Sequence, residues 1–350
     1  MKQLFITSVK DFATNKPGRV ELKEVDCPEP KADEVRVRIR YASICGSDAH
    51  ILTGHLGSFE EMTKSMLPMP FGHEVSGVID KLGPEAEALG YAVGDTVVVN
   101  YARYCHACDF CRSGRENLCA NIKFCMNGFA ELACYHVSQV FKIPASYDLK
   151  TAALIEPLTI ALAVAEQAGF SYGKSVAIWG AGGIGLMLVQ LARLSGAGQV
   201  TVFDPISDKR KLALELGADA AFDPTDPDAL EEATEIAGGN FDCVIEGSGV
   251  NSAAEQALKL LARDGNGVYY AMYGKDPYLK VDLHQDFYWD QKHLHGVIMG
   301  AGLFPKAIRL APRLNLAKIV GKTCPLSRYE EAFEALYSKK YAKIIVQMDA

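Results

Sequence analysis

What this 350-residue chain lacks narrows it first. A membrane-spanning helix needs about 20 consecutive apolar residues. The longest apolar stretch, Val176 to Val189, is shorter and is interrupted by Gly180, Gly182, Gly183 and Gly185. No membrane partner is expected. Lysines and arginines form no block that could track a phosphate backbone, and a net charge of -7 argues against general affinity for nucleic acid. The opening Met-Lys-Gln-Leu-Phe-Ile-Thr has neither the apolar region nor the cleavage site of a secretory leader. Cys27, Cys45, Cys125, Cys134, Cys243 and Cys324 show no paired spacing. A reduced, cytoplasmic protein is therefore expected. Internal repeats and low-complexity tracts are also missing.

What is present is ordinary in bulk, at 49% hydrophobic and 23% charged residues, and long enough for two domains. One stretch is not ordinary. Cys105, Cys108, Cys111 and Cys119 follow the spacing C-x2-C-x2-C-x7-C. Four thiolates this close can surround one soft metal and leave no ligand position open, as a structural zinc site requires. A bacterial-type four-iron cluster calls for a fourth cysteine three residues on, followed by proline. Here the last gap is seven and Ala120 follows.

The chain changes character near Pro144. Before it, Val35-Arg36-Val37-Arg38-Ile39-Arg40 alternates as a half-buried strand should, and Gly77–Asp80 and Asp95–Val99 are further strand candidates between turn residues. A barrel-like, β-rich domain with the cysteine lobe as an insertion is expected. After it, one helix over Thr151–Ala168 leads into alternating strands and helices. The strands are Ser175–Trp179, Gln199–Phe203, Phe241–Ile245 and Val268–Met272, and the helices Gly185–Leu194, Asp208–Leu216 and Ser252–Leu261. That alternation predicts an α/β, doubly wound parallel sheet. The tail reads as a helix from Tyr329 and a strand Lys343–Val346 returning to the first domain. The expected division is 1–150 with 299–350, and 151–298.

Gly180-Ala181-Gly182-Gly183-Ile184-Gly185 fits G-x-G-x-x-G, follows an apolar strand and opens an amphipathic helix, the context a dinucleotide needs. Gly180 permits the turn, Gly182 lets backbone approach a pyrophosphate, Gly185 lets helix pack on strand, and the helix N-terminus favours the anion. Asp204, nineteen residues after Gly185, can accept from both ribose hydroxyls and repel a 2′-phosphate, which favours NAD over NADP. Lys209 and Arg210 just beyond are the residues that could hold a phosphate instead.

Cys45-Gly46-Ser47-Asp48-Ala49-His50 and Gly72-His73-Glu74 offer metal ligands outside the lobe. Singly, Cys45 reads equally as a buried hydrophobe and His73 as a core histidine. Taken with the lobe, Gly128-Phe129-Ala130-Glu131, Glu156-Pro157 and the glycine motif, in this order and at these separations, the chain resembles the zinc-dependent medium-chain dehydrogenase/reductase family. Cys-Gly-Ser-Asp with Glu-Pro is similar to the branch of sorbitol (polyol), threonine and butanediol dehydrogenases.

The resemblance implies a GroES-like catalytic domain beside a Rossmann domain, two zinc ions per chain and NAD. It implies Cys45 and His73 as catalytic zinc ligands, with Glu74 or Glu156 as a further ligand, and Ser47 passing the alcohol proton through the ribose and His50 to solvent. Hydride then passes from a secondary alcohol to the nicotinamide, giving a ketone. A dimer or tetramer is implied too. Asp48 reads as a cap, and His106, His293 and His295 as surface residues. In sorbitol dehydrogenases an aromatic residue follows the His50 position and an Arg-Tyr pair contacts the polyol. Here Ile51 and Met299-Gly300 stand there, and Met62, Met66 and Met69 punctuate the segment from His55 to Pro70. A less polar pocket is expected, and a polyol, a vicinal diol and an amino alcohol all remain open. The zinc-free reductases of the family lack both ligand sets, and a silent relative would have lost a ligand; neither describes this sequence.

Overall fold

The computed structural model describes residues 1–10, 18–53, 65–274 and 277–349. The chain divides into two units, Met1–Pro157 with Ala301–Ala350, and Leu158–Gly300.

In the first unit a small sheet joins β1 (Lys2–Ser8), β2 (Arg19–Glu24) and β4 (Met69–Pro70). The main sheet contains β3 (Glu34–Ser43), β5 (Glu74–Leu82), β6 (Thr96–Val99), β9 (Leu132–His136) and β10 (Val140–Lys142). To these the C-terminal part adds β17 (Val320–Pro325) and β18 (Lys343–Gln347). The order is β10-β6-β5-β3-β18-β17, with β9 also on β3. The alternation in β3 is what the sequence shows: Val35, Val37 and Ile39 are buried and Arg38 and Arg40 exposed. The tail does return, because β18 pairs antiparallel with β3 and parallel with β17. Ile344, Ile345 and Val346 are all buried, so both faces of β18 are covered and its apolar residues run on without alternation. The short pair β7 (Ala102–Arg103) and β8 (Lys123–Phe124) brackets the cysteine lobe.

The second unit is a sheet of β11 (Ser175–Trp179), β12 (Gln199–Phe203), β13 (Ala220–Phe222), β14 (Phe241–Glu246), β15 (Leu261–Tyr269) and β16 (His293–Gly296). Every pair is parallel and the order is β13-β12-β11-β14-β15-β16. Successive strands run outward from β11 in both directions, so the crevice of a doubly wound sheet opens between β11 and β14. Trp179 stacks on Phe203 at 4.3 Å within its core.

Three predicted elements differ. Thr151–Ala168 is two helices, Leu149–Ala152 and Ile155–Ala168. Asp148 caps the first by accepting from Lys150 and Thr151 N–H. Pro157 is tolerated only in the opening turn of the second. Strand β15 begins at Leu261 and ends at Tyr269, instead of running from Val268 to Met272, because its pairing with β14 starts at Phe241 and crosses an irregularity before Cys243. The helix of the glycine motif starts at Gly183, two residues early, since Gly182 is its N-cap.

Ile345 is fully buried where the C-terminal strand joins β3. Ile345→Ala is expected to lower the unfolding free energy by about 2–5 kcal/mol, measured by chemical denaturation.

Candidate active site

Cys45 precedes the helix Gly46–Thr53. Asp48 reaches back so that its Oδ2 accepts from Cys45 N–H at 3.0 Å, the return half of a capping box, which fixes the backbone carrying the sulfur. Its other oxygen lies 3.9 Å from His73 Nδ1, and both of these buried atoms lack a hydrogen-bond partner. With Nδ1 turned toward Asp48, Nε2 is the nitrogen left for a metal. Ser47 lies in the first turn of the Gly46–Thr53 helix, and His50 follows one turn later on the same helix face.

His73 and Glu74 enter β5, so the sheet itself delivers them. Ligand atoms of Cys45, His73 and Glu74 all lie within 4.8 Å of one another. Glu74 is already engaged: Lys343 Nζ, at the start of β18, donates to both Glu74 oxygens and to Ile44 O at 3.2 Å. Burial pulls the Lys343 ammonium down, yet Glu74, Cys45 and Glu156 more than offset it and hold it above its ordinary value. Glu156, in the first turn of its helix, is buried as well. Burial pushes its carboxyl up to about 8, His73 opposing and Glu74 and Cys45 adding to the rise. Burial and Glu74 likewise push the Cys45 thiol up to about 11, and burial raises Asp48 to about 6. Thiol, imidazole and carboxylates thus share one dry place with more latent negative charge than Lys343 neutralises. A divalent, borderline-soft cation fits this donor set.

In the lobe the four sulfurs of Cys105, Cys108, Cys111 and Cys119 also lie within 4.8 Å of one another, and Cys105 and Cys111 are 3.9 Å apart. A tetrahedron with bonds of about 2.3 Å has edges of about 3.8 Å. Cys105 N–H donates to Cys119 Sγ at 3.3 Å and Cys108 N–H to Cys105 Sγ at 3.4 Å. Such N–H groups, from Ala107 and Cys108, lower the Cys105 thiol to about 5, while burial and its neighbouring thiols push Cys111 up to about 12. Partial ionisation of this kind is what four sulfurs adopt before a cation balances them. Zinc fits here too, and all ten cysteines are unpaired by disulfides.

In the second unit Gly180 sits at φ +97°, and a Cβ on Gly185 would collide with the Gly180 carbonyl, so both need glycine. Around Gly182 the space is open, and Gly183 and Ile184 begin the helix. Asp204 is buried and its carboxylate accepts from Ala181 N–H at 2.8 Å and Ile206 N–H at 2.9 Å, holding the glycine turn from the neighbouring strand. Arg210 donates to Asp204 O at 2.7 Å and pairs with Asp223 at 3.2 Å.

Sequence reasoning read Asp48 as a cap without its approach to His73, and missed Lys343 and Tyr101. The one signal for Lys343 is a lysine opening an otherwise apolar strand. Tyr101 lies 4.7 Å from the His73 ring and stacks on Phe124. Burial and the nearby Glu156, Cys45, Tyr104 and Glu74 raise its phenol. Ile51 packs against the core cluster of the first unit. Gly300 has its own reason to be glycine, because any Cβ there would strike Thr159. Met69 is buried and Met66 exposed, whereas His55 and Met62 lie outside the described residues. His106 and His293 are exposed, and His295 is half-buried beside Gln167 and Asn266.

Comparison with known proteins agrees with this geometry. Residues 31–145 match the alcohol dehydrogenase GroES-like domain and residues 183–313 the zinc-binding dehydrogenase family. L-threonine 3-dehydrogenase of Pyrococcus horikoshii is 34% identical over 348 residues, covering 95% of this chain and 97% of that one. A protein of Arthroderma otae named as a probable D-xylulose reductase A is 30% identical, covering 94% and 95%. A Clostridium scindens protein, described in its crystal structure as a putative zinc-binding dehydrogenase, is 59% identical with a TM-score of 0.98 over 100% of both chains. The chain belongs to the zinc-binding, medium-chain dehydrogenase family, and it is an oxidoreductase.

Metal analysis checks the two centres separately. The wild type is expected to hold two zinc ions per chain. Cys45→Ser with His73→Ala should leave one, and Cys111→Ser should lose the lobe ion and lower the melting temperature.

Proposed function

We propose that the protein oxidises a secondary alcohol of the polyol or sugar-alcohol type to its ketone, with NAD as hydride acceptor. The observation that carries this is the convergence of Cys45, His73 and Glu74, with buried Glu156 under their electrostatic influence, outside a lobe that offers a second, closed metal site. The cofactors are zinc and a nicotinamide dinucleotide. When bound, zinc polarises the substrate oxygen and lowers the alcohol's pKa, and the nicotinamide takes the hydride.

The chain's own residues do the rest. Cys45 and His73 hold the catalytic ion, oriented by Asp48. Glu74 lies close enough to join them, but Lys343 occupies both of its oxygens. Glu156 is buried, its carboxyl is raised chiefly by that burial, and a cation beside it would bring it back into the ionised form. Glu156 is therefore our third ligand, with Glu74 as a charged neighbour. Ser47 takes the alcohol proton and His50, one turn on, returns it to solvent. Gly180 to Gly185 receive the pyrophosphate and Asp204 the adenosine ribose. Arg210, tied to Asp223, is not free to seek a 2′-phosphate, which supports NAD.

Threonine-type amino alcohols are the second reading, favoured by the 34% identity to L-threonine 3-dehydrogenase. Among the described residues no helix is long and apolar enough to cross a membrane. Unpaired thiols support a cytoplasmic location. The outer edge of β16 has no strand partner among the described residues, and exposed Tyr288, Trp289 and Ile298 flank it in sequence, which supports a homo-oligomer.

A panel of polyols, vicinal diols and amino alcohols, assayed with NAD and NADP by absorbance of the reduced cofactor, tests the reading. Oxidation of polyols with NAD is expected. Cys45→Ser and His73→Ala should each lower kcat/KM at least about a thousandfold, and activity surviving in both sinks the zinc mechanism. Asp48→Asn keeps the volume but loses the charge facing His73. It should weaken zinc retention or turnover about 10–100-fold, seen by chelator titration alongside kinetics.

A further inference from the structure

Glu246 closes β14 in the second unit, and its carboxylate is wholly buried although no zinc ligand lies near it in sequence. Its Oε1 accepts from Ser248 N–H at 2.7 Å, from the Ser248 hydroxyl and from Gly249 N–H at 3.2 Å. Its Oε2 accepts from the Tyr273 hydroxyl, which arrives from the segment after β15. One carboxylate therefore gathers two chain segments, 247–249 and 270–273, at the C-terminal end of the sheet.

Glycines let the segments meet. A Cβ on Gly249 would lie 2.9 Å from Met272 O, and one on Gly247 would strike the Tyr270 phenol. The first segment also borders the dinucleotide turn, since a Cβ on Gly180 would come within 3.4 Å of Ser248 N. Asp204 holds that turn from the β12 side and Glu246 shapes the wall on the β14 side. In a doubly wound sheet the two halves of a dinucleotide lie on opposite sides of the switch point. With the adenosine half directed to Asp204, the nicotinamide half must cross the ends of β14 and β15.

We propose that Glu246 and Tyr273 are positioning residues for the nicotinamide half of the cofactor, a staple that sets the wall against which the ring is placed. This rests on the dinucleotide reading of Gly180–Gly185 and Asp204. Neither side chain need touch the cofactor. Losing the phenol hydroxyl frees segment 270–273 and leaves the adenosine half untouched.

The test uses the full-length, zinc-loaded protein, with NADH and ADP as probes in calorimetric titrations and with melting curves taken without nucleotide. Tyr273→Phe is expected to weaken NADH about three- to tenfold, as loss of one hydrogen bond to a charged acceptor implies. ADP affinity should stay at the wild-type value, while the melting temperature falls because the buried carboxylate loses a donor. Ser248→Ala, which removes a different donor from the same carboxylate, should give the same pattern and carries the test if Tyr273→Phe does not fold. Glu246→Gln, which keeps an acceptor for Tyr273, should recover part of the NADH affinity relative to Glu246→Ala. Equal weakening of NADH and ADP, or unchanged NADH affinity in both Tyr273→Phe and Ser248→Ala, overturns the staple. Wild-type protein that binds neither nucleotide overturns the dinucleotide reading and the staple with it.

Discussion

The buried pair of Lys343 and Glu74 is the interaction on which the metal site depends. It joins the last strand of the chain to the strand that carries His73, and the same ammonium holds the Ile44 carbonyl next to Cys45. Stripping either charge of its partner in such a place costs about 3–5 kcal/mol. The pair therefore keeps β18, β5 and the Cys45 turn in one arrangement. It also sets the electrostatics. One ammonium stands among Cys45, Asp48, Glu74 and Glu156, and burial first, with the neighbouring acidic groups adding to it, raises Cys45 and Glu156. A divalent ion suits such a place better than a second lysine, because it leaves a position for the substrate oxygen.

The lobe solves a similar charge problem to a different end. Four sulfurs could close a coordination sphere, and a metal held there would only brace the segment between β7 and β8. Two candidate metal sites of opposite character thus share one unit of the chain. In the proposed reading the second unit would seat the hydride acceptor, and there backbone N–H groups and carboxylates provide the shaping. Asp204 and Glu246 stand on either side of the Gly180 turn, and each spends its oxygens on backbone or hydroxyl donors.

Much of this was legible beforehand because the relevant signals are short in sequence. The alternation of β3, the glycines around a tight turn and the run of four cysteines each depend on residues within one element or one loop. Asp48 was legible as a cap for the same reason. Boundaries were read less well. Pro157 and the Asp148 cap split one expected helix into two, and β15 began seven residues before its expected start because pairing with β14 overrode its local composition. Ile51 and Gly300 also carry packing constraints that lay outside the sequence signal, against the core cluster and against Thr159.

By itself the sequence determined the side chains available: four closely spaced cysteines, a second set of thiol, imidazole and carboxylates, and a glycine turn with an acidic partner. Spacing determines these because each ligand set or turn is built largely from neighbours along the chain. Only the tertiary structure decided which carboxylate is already neutralised, which histidine nitrogen faces a carboxylate, and which tyrosine closes on Glu246. Those outcomes depend on residues 343 and 74, 48 and 73, or 246 and 273 meeting in a dry interior. There the energy of a charge is set by what lies within a few ångströms rather than by what lies nearby in sequence.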